Sequence, residues 1–135
     1  MESNLLASNG VLQGTLCCWS AAAANGLSGS YDWNWSFYAD VARPIRAKNL
    51  TLFPTPPGEI ETVKIGRVTA TAPLQTIIDL VRWDCEVEFI FQAMSWWEYA
   101  HGSLDSVMAE LFKQGLLSKY EQEYAVLRDG WVDIY

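Results

Sequence analysis

Histidine is nearly missing from this chain, with His101 alone, and cysteine is sparse, with Cys17, Cys18 and Cys85. No C-x-x-C pair and no H-x-x-x-H spacing occurs, so the residues of a zinc cage are not set out, and no metal is expected. An odd thiol count containing an adjacent pair excludes a disulfide framework and suits a reducing cytosol. No apolar run approaches the roughly 20 residues of a membrane helix. Val11 to Ala24 superficially resembles the apolar part of an export signal. The first cation, however, is Arg43, so export is not expected. G-x-x-x-x-G-K, G-x-G-x-x-G and G-x-S-x-G are all absent, leaving no phosphate cradle and no nucleophile elbow. Nucleotide cofactors and acyl-transfer chemistry are therefore not expected.

Basic charge is also scarce, at 9 Lys and Arg against 16 Asp and Glu, for a net charge of -7. The imbalance lies after residue 76, where eleven carboxylates face four cations; before it, five of each cancel. A nucleic-acid binder needs a basic patch that neutralises phosphates, so direct contact with DNA or RNA is not expected.

What the chain has is apolar and aromatic content. Half of its 135 residues are hydrophobic, enough to offset the ordering entropy of one compact domain spanning residues 1–135. Its seven tryptophans serve either the core or an interface, the two places where large rings concentrate.

Thr15 to Ala24 is Ala-rich and meets Asn25-Gly26, which predicts a short first helix. Trp33 to Val41 alternates, which predicts a half-buried strand with Trp33, Trp35, Phe37, Ala39 and Val41 on one face. Asn49 to Phe53 and Thr62 to Ala70 read as further strands around a proline-rich turn, with a turn or bulge at Gly66. From Pro73 the period becomes helical, with Leu74, Ile77, Ile78, Leu80 and Val81 recurring. Further helices are predicted over Glu86 to Ala100, from a Ser103 cap to Gly115, and from a Ser118/Glu121 capping box. Trp131 to Tyr135 reads as a terminal strand. The expected fold is α+β, a small antiparallel sheet with an N-terminal helix and a C-terminal group of about four helices.

Asp84, Glu86 and Glu88 alternate within five residues, and Glu121 and Glu123 lie near Asp129 and Asp133. Such carboxylates could gather Mg²⁺, yet neither group has the Lys that a nuclease places beside them, so a binding or solvated face is expected. His101 next to Gly102 reads as a surface side chain at a helix junction.

Two stretches are similar to AbiEi-type antitoxins. Trp19-Ser-Ala-Ala-Ala-Ala-Asn-Gly-Leu27 resembles their S-A-L-x-x-H-G-L helix, with Asn25 where the family often has His. Val68-Thr-Ala-Thr-Ala-Pro73 through Gln75-Thr-Ile-Ile-Asp-Leu80 resembles their V-T-x-P-x-x-T-x-x-D-L segment. Members pair a promoter-binding winged helix-turn-helix with a domain that counters a nucleotidyltransferase toxin. The resemblance begins near residue 15, so it implies the second domain without the first. The implied function is non-enzymatic, by protein–protein contact, in the cytoplasm of a bacterial cell. The alternative is a phage-encoded acidic inhibitor that imitates nucleic acid and blocks the PAM-reading groove of a CRISPR effector nuclease, whose arginines accept carboxylates as well as guanine. For either, the expected interface is Asp84, Glu86, Glu88, Glu98, Asp105 and Glu110, with Trp96 and Trp97 as apolar anchors. The expected partner is another protein, with no membrane, nucleic acid or cofactor involved.

Overall fold

A computed structural model of the chain describes residues 14–29 and 34–125. The elements run β1 (Thr15–Leu16), α1 (Cys18–Ala24), β2 (Trp35–Ala39), β3 (Ile45–Ala47), β4 (Leu50–Pro54), β5 (Thr62–Ile65), β6 (Val68–Thr71), α2 (Pro73–Arg82), α3 (Val87–His101), α4 (Asp105–Lys113) and α5 (Leu117–Tyr120). A π-helical turn over Glu121–Ala125 follows. No helix among the described residues is long and apolar enough to cross a membrane.

The class is α+β, but the expectation of a small antiparallel sheet is overturned. The six strands form one mixed sheet in the order β3-β4-β2-β1-β6-β5. The β1/β6 and β2/β4 pairs are parallel, and the β1/β2, β3/β4 and β5/β6 pairs antiparallel. The order helix, strands, helices also fails, because β1 precedes α1. The Ala-rich pattern reads through Thr15 and Leu16, yet Cys17 is extended and Cys18 has φ 50°. The helix therefore starts after them, and their backbone pairs with β2 and β6.

Strand β2 differs from its alternating sequence for a related reason. It pairs on both sides, and Ser36, Phe37 and Tyr38 are all buried, so it is an interior strand, not a half-buried one. Trp33 and the predicted strand at Trp131 to Tyr135 lie outside the described residues. The short edge strand β3 carries too little pattern to predict. Gly66, at φ 63°, turns β5 into β6 where a side chain would be strained.

Pro73 starts α2, where its missing N–H has no partner to lose. Helix α3 stops at Gly102, whose φ of 84° admits the left-handed residue. Ser103 Oγ accepts a 3.4 Å bond from the Asp105 amide ahead of α4. Ser118 sits inside α5 and so does not cap it.

The larger core joins Tyr38 and Phe53 of the sheet to Ile77, Ile78, Leu80 and Val81 of α2, Ile90, Ala93 and Met94 of α3, and Val107 and Leu111 of α4. A second cluster holds Leu16, Phe37, Leu50, Leu52 and Ala70 with Ala21 of α1. Strand period 2 sends alternate residues to the two clusters.

Candidate binding surface and cleft

Asp79 lies on α2 with no exposed surface. One carboxylate oxygen accepts a 3.0 Å bond from Gln75 Nε2 and lies 3.6 Å from Arg82 Nε. The other oxygen and the neighbouring Tyr38 hydroxyl are buried without a well-formed hydrogen bond. Burial pushes the Asp79 carboxyl up to about 6, against the opposing pull of Tyr38, Gln75 and Arg82. The same burial, together with the Asp79 charge, pushes the Tyr38 phenol up.

All three cysteines are free and buried. They converge beside Asp79, with Cys18 Sγ 4.0 Å from the Asp79 carbonyl. Burial raises the Cys17 and Cys18 thiols, and a hydrogen bond with Cys18 followed by burial raises that of Cys85. Such thiols are protonated and poorly nucleophilic. His101 is elsewhere, stacked on Trp97 with ring centroids 3.9 Å apart. Among the described residues no group of three or more His, Cys, Asp or Glu is placed to hold a metal ion.

The residues expected at an interface are spread over several places. Asp84 follows α2 at φ 53°. Its carboxylate takes Lys119 Nζ at 3.0 Å and the Tyr124 hydroxyl at 3.0 Å. What little burial it has would raise this carboxyl, but those two bonds outweigh it and hold Asp84 below the usual range. Glu86 immediately precedes α3, and Glu88 lies in its first turn, accepting from Gln92 Nε2 at 3.3 Å. Both are exposed, and with Val87 and Phe91 they line an open groove. Trp96 and Trp97 are half-buried and pack against the larger core. Trp97 Nε1 finds no acceptor among the described residues. Glu98 is exposed near the end of α3, and Asp105 is exposed in the first turn of α4. Glu110 faces a different cavity, with Glu59, Glu61 and Lys113, and accepts a 2.8 Å bond from Gln114. Gln114 in turn accepts from Arg82 Nη2, so this wall connects to Asp79.

The chain has no match among protein-family models or curated proteins.

Two features have no counterpart in the sequence reading. Tyr99 on α3 is 93% exposed and Phe112 on α4 73%. Their spacing does announce them: Tyr99 falls in line with Glu88, Gln92 and Ser95 at helical intervals, opposite the buried stripe of Ile90, Ala93 and Met94. The second is a cleft of about 250 Å³ between the sheet edge and the head of α3, with Trp19, Arg46, Asp84, Glu86 and Phe89 among its walls. No local pattern signals it, because its walls come from segments tens of residues apart.

Proposed function

We propose that this chain is a non-enzymatic binding domain of the antitoxin kind, working by protein–protein contact in the bacterial cytoplasm. The observation that carries the reading is the exposure of large aromatics beside carboxylates on two helices: Tyr99 is exposed on α3, which also exposes Glu88 and Glu98, and Phe112 is exposed on α4, which also exposes Asp105. Exposed aromatic area costs solubility and marks sites of association. Surrounding negative charge selects a cationic partner and repels nucleic acid. The two AbiEi-like segments support the choice of class by packing on each other. Asn25 Nδ2, at the end of α1, donates to the Ala21 carbonyl at 2.9 Å and to the Thr71 carbonyl at 3.0 Å, just ahead of α2.

The decisive experiment is co-expression with a nucleotidyltransferase toxin. Restored growth, lost when Tyr99 and Phe112 are both replaced by Ser, is the expected result; unrestored growth with soluble protein present removes the antitoxin reading. A second reading rests on Glu86 and Glu88, neither of which has a cation within ion-pairing distance among the described residues. Carboxylates left unpaired in this way are available to a basic groove, as in an acidic inhibitor of a guide-loaded CRISPR nuclease. Capture of such a nuclease that weakens with salt and with target DNA would move the assignment to that reading.

A further inference from the structure

The cleft at the sheet edge holds opposite charges that do not meet. Arg46, on β3, lies with its guanidinium carbon 5.8 Å from the centroid of the Phe53 ring. It has no carboxylate oxygen within 4.0 Å among the described residues, although Asp84 and Glu86 line the same cavity. Asp84 is already engaged by Lys119 and Tyr124. Among the described residues Glu86 has no ion pair, and it sits at the head of α3 while Arg46 lies on β3 of the sheet. Both side chains are exposed, and exposed charges gain little by closing on one another in water, so both stay open to a ligand that carries the two complementary charges.

The remaining walls restrict what that ligand is. Asn34 Oδ1 accepts a 2.9 Å bond from Thr51 Oγ1, which fixes the amide, and Asn34 lines the same cavity as Arg46. Trp19 and Phe89 supply apolar surface. The volume lies below the roughly 300–1,000 Å³ of sites for drug-sized molecules, which suits a small ligand better than a nucleotide. A lone anion would face Glu86 and Asp84; a lone cation would face Arg46.

We infer that this cleft binds a free α-amino acid with an apolar side chain. Its carboxylate pairs with Arg46 and the Asn34 amide, its ammonium pairs with Glu86, and its side chain lies against Trp19 and Phe89. The inference does not depend on the identity of any protein partner.

The test is calorimetric titration of the full chain with L-phenylalanine, with 3-phenylpropionate, which lacks the ammonium, and with phenethylamine, which lacks the carboxylate. Phenylalanine is expected to bind at least about tenfold more tightly than either analogue. Arg46→Gln is expected to erase its advantage over phenethylamine, and Glu86→Gln its advantage over 3-phenylpropionate. Both positions are exposed, and circular dichroism checks that both variants fold. Absence of phenylalanine binding, equal affinity for all three compounds, or a preference that survives both substitutions overturns the inference.

Discussion

The Asp79 carboxyl is the group at which burial and charge conflict most directly. An unfolded aspartate releases its proton near pH 3.9, whereas Asp79 in the folded chain holds its proton up to about 6. The folded state therefore binds the extra proton in that window. Its stabilising contribution is complete below about pH 4 and is lost as pH rises through 6. The difference between an ordinary aspartate and a carboxyl held up to about 6 corresponds to about 3 kcal/mol between the two limits. Asp79→Asn keeps an acceptor for Gln75 and never ionises. In urea unfolding, the stability of the native protein relative to this variant is expected to fall by about that amount between pH 4 and 7. Parallel pH profiles would show that Arg82 and Gln75 already compensate the charge. A second prediction concerns Asn25, whose amide ties the end of α1 to β6 through the Ala21 and Thr71 carbonyls. Asn25→Ala removes both side-chain bonds, while the Ala21 carbonyl keeps the residue 25 amide and the Thr71 carbonyl keeps the Thr76 hydroxyl, so the expected loss is that of two hydrogen bonds, about 1–2 kcal/mol in the same measurement.

Among the elements, helices were legible in proportion to how far local pattern determined them. Pro73 and the Leu74 to Val81 period mark α2, and Gly102 marks the end of α3, because caps and apolar spacing act within a turn. Strands were less legible. β1 is two residues of backbone captured by neighbours from distant sequence, and its Ala-rich continuation points to helix. In β2 the faces are covered by the two core clusters, Phe37 in one and Tyr38 in the other, so burial along the strand does not follow the alternation of its sequence. Of the expected interface residues, Glu88, Glu98 and Asp105 could be recognised as solvent-facing from helix phase. The engagement of Asp84 by Lys119 and Tyr124, and the burial of one side of Trp96 and Trp97, depend on tertiary contacts that spacing does not encode. Among the described residues, the outer strands β3 and β5 have a neighbouring strand on one side alone. β5 carries exposed Lys64 between Val63 and Ile65, a charge that discourages pairing with another chain. Lys64→Val is expected to raise light scattering at high protein concentration while leaving the circular dichroism spectrum unchanged; an equally monodisperse variant would show that the edge is protected in some other way.

Over the whole molecule, in the protein complex proposed above, charge and exposed aromatics divide the work of recognition between approach and retention. The excess of carboxylates after residue 76 produces a field that acts over about a Debye length, roughly 10 Å at 0.1 M salt, and therefore on the rate of encounter. Tyr99 and Phe112 act only at contact, and therefore on the lifetime of the complex. The two contributions are separable by kinetics with the captured protein partner. Reversing Glu88 and Glu98 to Lys together changes the net charge by four units, from -7 to -3. The association rate constant at low salt is expected to fall by about tenfold, with the deficit vanishing near 0.5 M salt. Replacing Tyr99 and Phe112 by Ser is expected to accelerate dissociation at every salt concentration, since apolar burial is not screened. Surface plasmon resonance at three ionic strengths distinguishes the cases. If charge reversal instead accelerates dissociation at all salts, the carboxylates are in desolvated contact with the partner; if the aromatic pair leaves dissociation unchanged, the contact surface lies elsewhere on the molecule and the assignment to α3 and α4 fails.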